Sequence, residues 1–202
     1  TAFEKAWARV DSATLARVAD RLVEDKVTLV PTLVLHETFS RLDDPALAQS
    51  DVYKAVPDSE MAKWNVPGMI ARAGWKPEYF AAFRASRANQ DLFVRLFRAA
   101  GGRVVAGSDA ANQMLVPGAS LIREIELLVQ VGFTPADALL SATRDAAALL
   151  NADSLGALVQ GRKADLIVLS RDPTVDIANL RTVEQVMVRG HLMSADSLRR
   201  HW

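Results

Sequence analysis

Gly107-Ser108-Asp109 closes a short apolar run, Val104 to Ala106, and is the stretch best placed to do chemistry. The run reads as a buried parallel strand bounded by turn residues. Asp109 then stands at the C-terminal end of a strand, the end at which parallel α/β folds collect their reactive groups. That is where a catalytic carboxylate would stand. A strand-end aspartate is also a common turn former, and spacing alone leaves both readings open. Gly107 lets the backbone pass close to a ligand or a neighbouring strand, and Ser108 is small enough not to block the mouth.

Two further residues are candidate substrate contacts. Ser108 precedes the aspartate directly, but no Gly-x-Ser-x-Gly elbow surrounds it, so it is not read as a nucleophile. His36 follows a second strand-like stretch and reads as a substrate contact or as a loop histidine at the base of an insertion. His191 and His201 read as surface residues, and Glu124 and Glu126 as a solvated helix face. Gly101-Gly102 lacks the spacing of a phosphate loop.

The elements that must position these residues alternate between helix and strand. Phe3, Ala6, Trp7 and Val10 keep helical spacing, as do Leu15, Val18, Ala19 and Leu22 behind an Asp11 N-cap. Val27 to Leu35 reads as extended, with Pro31 ending the strand proper near Val30. Residues 40–77 are punctuated by Pro and Gly, carry Trp64 and Trp75, and read as a helical lid-like insertion or an interface patch. A long helix from Pro77 to Ala100 returns to the Val104–Ala106 strand. Ser120 is read as the cap of a helix over 121–131 that stops at Gly132, and Thr134-Pro135-Ala136-Asp137 starts the next. After Asn151 the period changes. Ala164–Leu169, Val183–Val188 and His191–Met193 read as strands, with Arg189-Gly190 as a two-residue hairpin turn. Ala157–Gln160 could pair at an edge, and a polar helical tail runs from Ser194 to Trp202.

Composition narrows the function classes. Half of the 202 residues are hydrophobic, enough for a core of one or two domains. Lys+Arg and Asp+Glu both number 24, so there is no basic excess for nucleic acid. With no Cys, disulfides, thiol catalysis and cysteine-based zinc sites are excluded; either cytoplasm or periplasm is compatible. No apolar run approaches a membrane span, and Thr1-Ala2-Phe3-Glu4-Lys5 has no signal-peptide character. The chain opens directly into helical pattern, as the middle of a longer protein would. Its two good strands fall short of the eight that close a (β/α)8 barrel.

Several motifs, taken in order, resemble the amidohydrolase superfamily. Gly161-Arg162-Lys163-Ala164-Asp165-Leu166-Ile167-Val168-Leu169 resembles its "G-K-x-A-D-L-x-V-L". Asp172-Pro173 with Asp176-Ile177 resembles "D-P-L-x-D-I", and Val186-Met187-Val188-Arg189-Gly190 its "V-x-V-x-G" closing hairpin. Glu124-Ile125-Glu126-Leu127-Leu128, Gly132-Phe133-Thr134-Pro135, and Ala138 with Ala142-Thr143 resemble the helical stretch before it, and Val30-Pro31-Thr32-Leu33 resembles "V-P-T-L". The pattern is similar to the imidazolonepropionase-like and prolidase-like branch, C-terminal half only.

The resemblance implies the C-terminal part of a TIM-like (β/α)8 barrel over 1–155 with a lid-like insertion at about 40–77. Strands of a composite β-sandwich domain would occupy 156–193, and a helical tail 194–202. It implies a hydrolase of C–N bonds acting on a cyclic amide or dipeptide-like substrate. Asp109 would be the eighth-strand metal ligand and general base toward a divalent metal, zinc first. The family's other ligands, a His-x-His, a Lys or Glu and two further histidines, have no counterpart here. The chain alone is therefore expected to be inactive and to hold no metal tightly. The expected partners are a small-molecule substrate, the missing N-terminal half or another chain that completes the barrel, and copies of itself; neither nucleic acid nor membrane is expected. The contrasting expectation is a binding or assembly module that keeps the scaffold without catalysis.

Overall fold

The structure, a computed structural model, describes residues 2–54, 56–110 and 112–200. The chain divides into two compact units, Thr1–Glu124 and Ile125–Trp202. The first begins with α1 (Ala2–Trp7) and α2 (Ser12–Glu24), the latter capped where the Thr14 N–H donates to Asp11 Oδ1 at 2.8 Å. A short strand β1 (Thr28–Leu29) leads into α3 (Leu33–Phe39). Three short helices follow, α4 (Asp51–Lys54), α5 (Asp58–Met61) and α6 (Val66–Ala73), then the long α7 (Pro77–Ala99) and β2 (Arg103–Val104). Phe80, Phe83, Ser86, Phe93, Val94 and Phe97 form the buried face of α7.

β1 and β2 pair in parallel, Thr28 with Arg103 and Leu29 with Val104, and the Val105 N–H extends the ladder to the Leu29 carbonyl at 2.9 Å. The chain therefore leaves both strands at the same edge. Gly107 sits there because nothing larger fits: a Cβ would stand 2.6 Å from Val30 Cγ1. Its lack of a Cβ serves the close approach of one strand end to the other.

The extended reading of Leu33–Leu35 is corrected, since these residues begin α3. The reason lies 90 residues away. The helix has no cap of its own: Thr32, its N-cap residue, is left-handed at φ 47° and makes no side-chain cap bond. The Glu124 carboxylate substitutes for it, with Oε2 accepting from the Val34 N–H at 2.8 Å and the Leu33 N–H adding to the interaction. Two orphan donors of the first turn are thereby satisfied from outside.

Glu124 lies on α8 (Ala119–Gln130), and the solvated-face reading of Glu124 and Glu126 is corrected too. Glu124 is fully buried, in register with buried Leu127, Leu128 and Val131, and Glu126 pairs with Arg181 at 2.8 Å. Ser120 falls inside α8 rather than capping it, its hydroxyl donating to the Val116 carbonyl.

Residues 40–77 form a helical layer around a small core that Leu42, Leu47 and Tyr53 share with Phe80 of α7 and Met114, with Trp64 and Trp75 packed against it. Trp64 meets Tyr53 edge-on, and Trp75 meets Phe39 and Phe80 in the same way. The Tyr53 hydroxyl donates to the Met114 carbonyl at 2.8 Å, joining this layer to the loop that follows Asp109.

In the second unit, α9 (Pro135–Ala142) is capped as read, Thr134 Oγ1 accepting from the Asp137 N–H, and α10 (Arg144–Leu149) follows. β3 (Leu166–Leu169), β4 (Val183–Val188) and β5 (His191–Ser194) make an antiparallel sheet in that order, and α11 (Ala195–Arg199) ends it behind the Ser194 cap. Arg189 and Gly190, at φ 50° and 82°, make the turn between β4 and β5. Asp165 of the "A-D-L" motif serves this turn, its Oδ1 accepting from the Arg189 N–H at 2.6 Å. Among the described residues Ala157–Gln160 forms no strand. Among the described residues no helix is long and apolar enough to cross a membrane.

Burial pushes the Glu124 carboxyl up to about 7, against the pull of the Val34 and Leu33 N–H groups. The neutral form is favoured in the fold, so this residue's contribution to stability is complete below its ordinary value near 4.5 and is lost as pH rises to about 7. The loss is on the order of 3 kcal/mol. Urea unfolding at pH 5 and pH 8 is expected to show that decline, and Glu124→Gln, which keeps an acceptor for Val34, is expected to flatten it. Tyr53→Phe leaves the buried Met114 carbonyl without its donor and is expected to lower stability by about 1–2 kcal/mol in the same assay.

Candidate functional site

Asp109 lies five residues past the end of β2, in the left-handed conformation at φ 52°. Its carbonyl makes the local turn, accepting from the Asn112 N–H at 3.0 Å and from Asn112 Nδ2 at 3.2 Å. The turn-former reading therefore belongs to the backbone. Among the described residues no hydrogen bond falls on the carboxylate, and the residue is exposed. Ser108 beside it is half-buried.

The ends of β1 and β2 share one edge, and each carries a non-glycine residue in the left-handed region, Thr32 and Asp109. Such conformations cost about 1–3 kcal/mol and persist where the surroundings hold them, often at functional sites. At Thr32 the constraint is visible in the Glu124 contact to Val34.

The charges near that contact are paired. Arg123 donates to Glu37 through Nε at 2.9 Å and Nη2 at 2.8 Å. Burial alone would raise the Glu37 carboxyl, but the Arg123 bonds and charge, with Arg87 and Arg41, outweigh it and hold Glu37 below its ordinary value. Arg87 donates to Asp91 at 2.6 Å.

His36 lies on α3, and its ring is tied inward. Nε2 stands 3.2 Å from Glu4 Oε2 and 3.0 Å from Ser86 Oγ. A carboxylate only accepts, so Nε2 carries the hydrogen. Nδ1 is buried without a partner. Burial lowers the imidazole's pKa, against the opposing hydrogen bond and charge of Glu4. His36 lines a cavity to which Gly107, Ser108 and Asp109 do not contribute. The Glu4–His36–Ser86 grouping went unseen in the sequence, where its members stand 32 and 50 residues apart. His191 is exposed, and His201 lies outside the described residues.

Among the described residues no three of His, Cys, Asp and Glu come together as a metal centre. A catalytic zinc takes three protein ligands and an open position. The residues present do not fit such a centre by themselves, since Asp109 offers a single carboxylate.

Among curated proteins none matches the chain. Solved structures do. A Xaa-Pro dipeptidase with methionine in its active site aligns at TM-score 0.62 and 24% identity, over 89% of this chain and 37% of that one. A putative prolidase from Bifidobacterium longum aligns at TM-score 0.58 and 27% identity, over 82% of this chain and 35% of its own. A prolidase complexed with N-methylphosphonate-L-proline aligns at TM-score 0.58 and 27% identity, over 92% and 38%. The chain thus spans little more than a third of the structures it matches. A profile of the amidohydrolase family covers residues 8–193, nearly the whole sequence, and the chain belongs to that family.

Proposed function

We propose that this chain is the C-terminal portion of a hydrolase that cleaves a C–N bond, with Asp109 as the general base. The carrying observation is the unengaged Asp109 carboxylate at the shared edge of β1 and β2. In this reading Asp109 takes a proton from water as its oxygen attacks the carbonyl carbon. The C–N bond then breaks, and the carboxyl returns the proton to the leaving nitrogen. The prolidase likenesses favour a dipeptide-like substrate over a cyclic amide. Ser108, on the same loop, is the better placed of the two candidate substrate contacts; His36 is engaged with Glu4 and Ser86. The family resemblance implies a divalent metal, with Asp109 as at most one of its ligands in this chain.

The parallel β1–β2 pair with its helices supports the C-terminal part of a TIM-like barrel, and residues 40–77 are read as a lid at its mouth, supported by the Tyr53–Met114 bond. Completion of the barrel and of the β unit by an N-terminal half, another chain or further copies is part of the same proposal. Half-exposed Ile167, Val188 and Leu192 on the three-stranded sheet favour it. Sedimentation of the 202-residue chain is expected to show association, and a monodisperse monomer would count against this completion.

In the complete protein Asp109→Asn is expected to preserve the fold and to lower turnover of an Xaa-Pro dipeptide by about 10²–10⁴-fold. Unimpaired turnover overturns the assignment. The 202-residue chain alone is expected to show no turnover, and a stoichiometric, chelator-resistant metal in it by mass spectrometry would contradict the incomplete centre.

A further inference from the structure

A cavity of about 390 Å³ opens in the first unit among α1, α3 and α7. Its wall is largely aromatic, with Trp7, Phe39, Phe83 and Phe93 on it, and its polar groups include Glu4, His36 and Gln90. That composition, an apolar enclosure with a few convergent polar groups, is what small-molecule sites share.

The charge inside it is unbalanced. Glu4 is buried, and the hydrogen bonds to its carboxylate all fall on Oε2: from the Ser86 hydroxyl at 2.6 Å, His36 Nε2 at 3.2 Å and Gln90 Nε2 at 3.5 Å. Among the described residues the one basic side chain within ion-pair distance of it is His36. Burial favours the neutral imidazole, so all three donors are neutral. Arg87, the neighbouring cation on α7, is already held by Asp91 at 2.6 Å and directs Nη1 toward the Leu33 carbonyl. A buried carboxylate without a counter-cation is costly. Aromatic faces around it attract cations as well.

We propose that this cavity binds a small organic ammonium ion with an apolar body. The ammonium sits against the Glu4 carboxylate, and the body lies among Trp7, Phe83 and Phe93. This inference does not rest on the hydrolytic reading, and Gly107, Ser108 and Asp109 take no part in the cavity.

The test is calorimetric titration of the 202-residue chain with three probes of one shape: 2-phenylethylammonium, 2-phenylethanol and 3-phenylpropionate. The ammonium is expected to bind at least tenfold more tightly than the alcohol, and the carboxylate not at all. Glu4→Gln is expected to erase the difference between ammonium and alcohol. Leu35→Phe narrows the cavity while leaving Glu4 in place, and is expected to weaken both. Circular dichroism melts establish that each variant is folded. Should Glu4→Gln fail to fold, the probe ranking in the parent chain and the Leu35→Phe result decide. Equal binding of ammonium and alcohol, no ammonium binding at millimolar concentration, a folded Glu4→Gln that keeps the preference, or a folded Leu35→Phe that binds as the parent does would each overturn the proposal.

Discussion

The contact on which the candidate site depends is the Glu124 carboxylate against the Val34 N–H. It satisfies the opening turn of a helix that has no cap of its own, and it does so from a fully buried position. A buried carboxyl is tolerated where its hydrogen bonds compensate the lost water. Here only Oε2 is engaged and Oε1 has no partner, and burial pushes the carboxyl up to about 7. The chain thus accepts an electrostatic cost at this point in exchange for a defined backbone path at the end of β1.

That path decides what stands at the edge. Because β1 and β2 are parallel, their ends face the same way. Gly107 lets them approach to the limit set by Val30. Beyond that close approach Thr32 and Asp109 both turn through the left-handed region. Asp109 uses its carbonyl for the turn and so leaves its carboxylate available. The helical layer over 40–77 meets the following loop through the Tyr53 hydroxyl on the Met114 carbonyl and through Met114 and Val116, which pack with its core. Catalytic groups on loops gain precision from such support.

Burial also separates the fates of the acidic residues. Glu37 is half-buried beside Arg123 and is held below its ordinary value, whereas Glu124 is fully buried beside backbone N–H groups and is pushed up to about 7. Glu4 is buried among hydrogen-bond donors, beside a cavity lined by Trp7, Phe83 and Phe93. Residue type is the same in all three cases; the neighbours differ.

The local features were legible in the sequence because their physics is local. Asp11 and Thr134 cap helices within three residues, Arg189-Gly190 supplies the two left-handed positions a tight hairpin needs, and the apolar stripe of α7 repeats at helical spacing. A strand ahead of Asp109 was legible for the same reason, but it ends at Val104, five residues before the aspartate. The helix at Leu33, the burial of Glu124 and the Glu4–His36–Ser86 group were not. Leu33–Leu35 is as apolar as a strand, yet it opens a helix whose first turn is capped by a carboxylate 90 residues away. Glu124 did carry a signal, its register with Leu127, Leu128 and Val131, but charge on a helix ordinarily means solvent. Sequence by itself determined the caps at Asp11 and Thr134, the Arg189-Gly190 turn, the long α7 and the family motifs, since these are set by neighbours within a few residues. Tertiary structure alone decided which carboxylates are buried, paired or left open, because that depends on distances between segments that no local pattern encodes.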